Sequence, residues 1–164
     1  MAEGPVNDAS NRQLNEVEFG DNVVVYPFTN LYGCRIGDNT RIGTFVEVQR
    51  GAVIGAICKV QSHTIICDGV TIEDEVFIGH GVMFVNDKFP RATTESGQLQ
   101  ADKDWALLPT RVERGSAIGS GAVILGGLTI GAESLVGAGA VVTRDVAAGE
   151  TVVGNPAKPL KSSR

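Results

Sequence analysis

The chain has no basic stripe. Its 164 residues carry 14 Lys and Arg against 19 Asp and Glu, a net charge of -5, which argues against nucleic acid as a general partner. Histidine is scarce, with His63 and His80 the only two. Cys34, Cys58 and Cys67 are an odd set without CxxC spacing, so buried, reduced thiols are expected rather than disulfides, and no metal is assigned. No apolar run reaches the length of a membrane span, and nothing near Met1 reads as a signal peptide. These absences predict a single cytoplasmic domain with no membrane partner.

What the chain does have is a period of six. Ile36, Ile42, Val48, Ile54, Val60, Ile66, Ile72, Ile78 and Phe84 put a large apolar residue at every step. The frame two residues later (Asp38, Thr44, Arg50, Ala56, Ser62, Asp68) has none. Six matches neither the 3.6 of a helix nor the 2 of a strand, so the unit is a short strand plus a turn, repeated as a solenoid. Three such units, about eighteen residues, make one triangular coil with parallel strands stacked at roughly 4.8 Å. The period-six residue points inward, and the modest fifth residue (Thr40, Val46, Cys58, Thr64) shares the interior. Gly37, Gly43, Gly55 and Gly79 are expected to let the chain turn. Asn30 keeps the frame but is polar, so the first coil is either irregular or functional there.

The frame breaks after Phe84 and returns at Val112, Ile118, Ile124, Ile130, Val136 and Val142. The expected organisation is a polar lead over 1–20, a β-helix over 21–147 with an inserted loop at about 87–111, and a tail over 148–164. The loop holds the only tryptophan, Trp105, followed by Leu107 and Leu108; part of it should pack on the rod or on a neighbouring subunit. The glycines of the second block either serve tight corners or expose backbone amides. Glu47, Ile65 and Met83, eighteen apart and outward-facing, predict an interface between copies.

His63 and His80 should lie one residue out of register at one corner, and Asn86, six after His80, at the next. His63 reads as a solvated or structural ring, whereas His80 sits close to the loop.

These Ile-Gly-x-x-x-x runs resemble the hexapeptide-repeat acyltransferases, whose fold is a left-handed parallel β-helix. The hand is implied by the resemblance alone. Asn30-Leu31-Tyr32-Gly33-Cys34, Phe45-Val46-Glu47-Val48-Gln49, His80 to Arg91 and Gly154-Asn155-Pro156-Ala157-Lys158 resemble most the nucleotide-sugar N-acetyltransferases of that fold. The resemblance implies a homotrimer, with acetyl-CoA along the rod between two subunits and a nucleotide-linked amino sugar near the loop. It implies catalytic roles for Asn86, which would orient the amine, and His80. It places Ser120 and Ala138 at the pantetheine arm and Thr143, Arg144 and Lys161 near the adenosine phosphates, although ordinary solvated cations would look the same. A zinc carbonic anhydrase of this fold needs three histidines where this chain has two, which argues against that activity. Sugar O-acetyltransferases of the fold carry a histidine in a segment where this chain has none, which favours an amine acceptor. An O-acetyltransferase and a non-catalytic β-helix scaffold are the competing readings.

Overall fold

The structure, a computed structural model, describes residues 11–160. Three parallel sheets form the sides of a triangular rod: side A of seven strands, side B of six and side C of eight. Successive coils pair Glu47 with Ile65 and Ile65 with Met83 on side A, Arg35 with Val53 on side B, and Arg41 with Lys59 and Lys59 with Phe77 on side C. Each of these steps is eighteen residues. The architecture is a left-handed parallel β-helix.

The core is the period-six column. Ile36, Ile42, Ile54, Ile66, Ile72, Ile78, Ile118, Ile124 and Ile130 are all fully buried. Two threonine hydroxyls beside them are satisfied. Thr40 Oγ1 donates to Gly55 O at 2.8 Å and accepts from Cys58 N at 3.0 Å, and Thr64 Oγ1 does the same with Gly79 O and Val82 N. At Thr40 and Thr64 a hydroxyl at the fifth position thus stitches two coils, whereas Ser134 at the same position keeps its buried Oγ without a partner. The three thiols are buried and unpaired.

Two expectations are corrected. The glycines after the inward residue are not what turns the chain. An added Cβ would lie 2.6 Å from Gly55 C at Gly37 and 2.5 Å from Ser120 N at Gly79, so these glycines permit the coils to stack. The turn is made two residues later, where φ is positive: Asn39, Phe45, Ile57, Gly81. The second correction concerns Asn30. Gln13 pairs with Asn30 and Asn30 with Glu47, a step of seventeen. One residue is missing at the corner before Ile36, so the frame slips and Leu31, fully buried, is the inward residue while Asn30 lies half-buried on side A.

Coil pairing is already present at Gln13–Asn15 and continues to Thr151–Val153, which pairs with Leu135 and Val136. The chain then folds back as an antiparallel strand, Lys158–Pro159. Between the blocks, Thr71 pairs with Arg111, forty residues on instead of eighteen, so twenty-two residues leave the rod as a loop. Its return leg packs down: Leu107 covers Gly69, and Leu108 covers Gly126. Its outer part exposes Phe89 and Leu99 at 80% and 83%. Among the described residues no helix is long and apolar enough to cross a membrane, and no group of three His, Cys, Asp or Glu is placed to hold a metal.

Candidate active site

The chain runs from side A to B to C within each coil, and the corners turn on residues of positive φ, save those after Phe84 and Val142. At the corner from C to A these are Phe28, Phe45, His63, Gly81, Gly121 and Gly139, with φ between 57° and 70°. One residue earlier stands a second column: Thr44, Ser62, His80, Ser120, Ala138. Backbone bonds lock the two together, Gly81 N donating to Ser62 O at 2.9 Å, Gly121 N to His80 O at 2.7 Å and Gly139 N to Ser120 O at 2.8 Å.

His80 is exposed, and its backbone N–H donates to Ser120 Oγ at 3.1 Å. The Ser120 hydroxyl therefore helps to hold the corner. Nothing lies within 4 Å of an added Cβ at Gly81, Gly121 or Gly139. Three consecutive coils present bare backbone there, beside the exposed Ser120 and Ala138. The result is an open rail that a Cβ would obstruct, wide enough for an unbranched polar chain to lie against the backbone.

Asn86 stands at the other end of side A. It is half-buried, its side-chain amide donates to Asp68 O at 3.2 Å, and its backbone carbonyl accepts from Leu108 N at 3.0 Å. With one amide hydrogen committed, the Asn86 Oδ1 is the group that could accept an amine N–H. Gly126 lies against Asn86, and Thr143 and Arg144, both exposed, follow Val141–Val142 to this same corner. The candidate residues are thus divided. His80, Ser120 and Ala138 share one corner and Asn86, Thr143 and Arg144 the next, with a side of about 15–20 Å between them. Lys161 lies outside the described residues.

The strip between the two corners is apolar. Ile65, Met83, Val123 and Val141 form its outward face, with Met83 39% exposed. Side B differs, carrying ion pairs between Arg35 and Glu18 and between Arg111 and Glu73.

None of the thiols is poised as a nucleophile. Burial pushes Cys34 up to about 11 and raises Cys58 and Cys67 as well, which holds all three protonated at neutral pH.

One feature of the corner was missed in the sequence. Phe28 and Phe45 stack at 5.2 Å between ring centroids, and Phe45 meets His63 at 4.9 Å. The signal was available in the spacing, seventeen from Phe28 to Phe45 and eighteen from Phe45 to His63, at a position counted as turn.

The bacterial transferase hexapeptide family (six repeats) matches residues 109–144, the second run of coils. A similar period of six runs through the first coils, from Ile36 to Phe84. Among solved structures, this chain resembles an acetyltransferase from Vibrio cholerae O1 biovar eltor, complexed with acetyl coenzyme A. The identity is 28% and the TM-score 0.65, over 80% of this chain and 72% of that one. It also shares its fold with AntD, an N-acyltransferase from Bacillus cereus in complex with dTDP and 3-hydroxybutyryl-CoA. There the identity is 19% and the TM-score 0.75, over 91% and 84% of the two chains. Among curated relatives, the bifunctional protein GlmU of Heliobacterium modesticaldum is 29% identical over 154 residues, 93% of this chain but 30% of that protein. The chain thus spans about a third of the length of the first curated relatives it matches.

Proposed function

We propose that this chain is an acetyl-CoA-dependent N-acetyltransferase acting on the amino group of a nucleotide-linked sugar, a 3-amino sugar destined for surface polysaccharide. The observation that carries the reading is the open rail of Gly81, Gly121 and Gly139 ending at His80. Ser120 and Ala138 would flank a pantetheine arm lying on that rail, and Thr143, Arg144 and Lys161 are proposed to lie near the adenosine phosphates of CoA. The bound ligands named for the Vibrio cholerae and Bacillus cereus proteins support a CoA thioester as donor and a nucleotide as part of the acceptor.

The thioester supplies the acyl group when bound; the rest falls to the chain's own residues. A neutral amine needs positioning more than it needs a strong base. Asn86 Oδ1 would orient it by accepting an N–H, and His80 would take up the proton released as the C–N bond forms and pass it to the CoA sulfur as the C–S bond breaks. The Gly81, Gly121 and Gly139 amides are spent on the neighbouring coils, so the backbone donors proposed for the developing oxyanion are those of Ser120 and Ala138.

Because His80 and Asn86 stand a full side apart, one copy cannot bring both to one amine. The site is therefore assigned between copies of a homotrimer, the His80 corner of one meeting the loop corner of the next. The apolar strip on side A and the exposed Phe89 and Leu99 of the loop are the surfaces that contact would cover.

Release of CoA thiol from acetyl-CoA should be followed across UDP- and dTDP-linked 3-amino and 4-amino sugars. Turnover on one of them is expected, falling by about a hundredfold or more in Asn86→Ala and by about tenfold to a hundredfold in His80→Ala. No turnover, together with no rise in melting temperature on adding acetyl-CoA, would point to a scaffold instead.

A further inference from the structure

Above Asn86 the outward face of side A is polar, where the rest of that face is apolar. Gln13, Asn30 and Glu47 precede Ile65 and Met83 in one column of paired residues. We infer that Gln49, held by Glu47, is the positioning residue for Asn86. The inference rests on the acetyltransferase reading for the reaction it serves, though not for the geometry.

The first observation is a continuous line of hydrogen bonds across four coils. Asn30 Nδ2 donates to Glu47 Oε2 at 3.5 Å, and Gln49 Nε2 donates to Glu47 Oε1 at 2.8 Å. Gln49 Oε1 then accepts the backbone N–H of Asp68 at 3.4 Å, and Asp68 O accepts from the Asn86 side-chain amide at 3.2 Å. The direction of the line follows from what each group can do. A carboxylate only accepts and a backbone N–H only donates, so between Glu47 and Asp68 the Gln49 amide has one orientation that satisfies both. The seventeen-residue step supplies the first member, because it sets Asn30 opposite Glu47 on the outward face.

The second observation is what holds the corner at Asp68. In the two coils above, backbone ties this corner to the preceding coil: Gly33 N donates to Asn15 O and Gly51 N to Gly33 O, both at 2.9 Å. Among the described residues, no such bond reaches Gly69 N. The Gln49 side chain reaches the neighbouring Asp68 N instead, so a side chain here does what backbone does elsewhere. Gln49, Asp68 and Asn86 are all half-buried, which shields these bonds from competing water.

The consequence is for aim. The terminal torsion of an asparagine is broad, and the bond from Asn86 Nδ2 to Asp68 O selects the direction in which Oδ1 points. A shift of Asp68 would turn Oδ1 away from an amine without touching either substrate. Loss of Gln49 should therefore appear in the rate of the bound complex and not in binding.

The test joins kinetics on the amino sugar that turns over with crystal structures of the native chain and of Gln49→Met. Methionine keeps the length of the side chain and removes both bonds. Gln49→Met should lower kcat about tenfold, with KM for the sugar and for acetyl-CoA within about twofold of native. In the Asn86→Ala background the same substitution should cost less than about twofold, because a residue that acts through Asn86 then has nothing to position. Gln49→Glu sets two carboxylates against each other and should also lower kcat about tenfold. Adding Glu47→Gln to it exchanges donor and acceptor, reforms the line, and should restore kcat to within about threefold of native. This exchange also decides the matter if Gln49→Met does not fold. An unchanged kcat in Gln49→Met, a further tenfold loss on top of Asn86→Ala, or no rescue by the exchange would each overturn the inference and leave the transferase standing. No turnover by the native chain would remove the transferase reading, and the two crystal structures would then decide alone. An Asn86 side chain moved off Asp68 O in Gln49→Met upholds the positioning, and one left in place overturns it.

Discussion

Above and below His80, the corner from C to A has one backbone and two surfaces. The turn residues Phe28, Phe45 and His63 share their conformation with Gly81, Gly121 and Gly139, φ lying between 57° and 70° throughout. Above, rings stack into a ladder; below, even a Cβ would touch nothing. The repeat therefore fixes where the chain turns but not what the turn presents. A solenoid leaves such positions free to differ, and on this rod they differ on the two sides of one histidine.

Exchanging the two surfaces would break the comparison most severely. Gly121→Phe places on the lower half the residue type that the upper half already tolerates in the same backbone. The left-handed conformation costs about 1–2 kcal/mol, so the chain should still fold, while acetyl-CoA binding should fall by about a hundredfold, equivalent to about 2.7 kcal/mol. A thermal melt and a CoA titration on the same sample separate the two effects.

Next in size is a contrast between two glycines of one turn. Gly79→Ala would press a methyl to 2.5 Å from the Ser120 backbone nitrogen, and overpacking of that kind should cost about 2–3 kcal/mol in urea denaturation. Gly81→Ala meets open space and should cost only the strain of its positive φ, about 1 kcal/mol. Equal losses would mean that stacking and turning are not separate duties.

The mildest perturbation is alkaline pH, which reaches the core and leaves this corner alone. The thiols of Cys34, Cys58 and Cys67 are raised above their ordinary 9.0 by burial, Cys34 to about 11. Below pH 9 both folded and unfolded chains keep these protons, and the stability is fully present. Above it the unfolded chain loses them first, so stability should decline between about pH 9 and 11. Replacing Cys34 with Ala should flatten that decline.

Much of the rod was legible because a period of six admits one interpretation, and Ile36 to Phe84 show it without a gap. The seventeen-residue step was not. A single deletion at a corner leaves Asn30 in the counted frame while Leu31 takes the inward place, and only pairing reveals the slip. Counting eighteens stacked Ser120 on Ala138, but that His80 heads the same column follows only from the pairing of Thr71 with Arg111, which takes twenty-two residues out of the rod. It also set Asn86 at the neighbouring corner, but a period alone carries no measure of how far apart those corners are. The ladder went unread because Phe28 and Phe45 sit at turn positions, where side chains are ordinarily dismissed as solvent-facing.

The most direct test of a site shared between copies is complementation. His80→Ala and Asn86→Ala chains, each impaired alone, would be unfolded together, refolded as a mixture and assayed for CoA release. A site joining His80 of one copy to Asn86 of another regenerates native pairs in mixed assemblies, and about a quarter of the parental rate should return. A mixture no more active than its components would contradict the shared site.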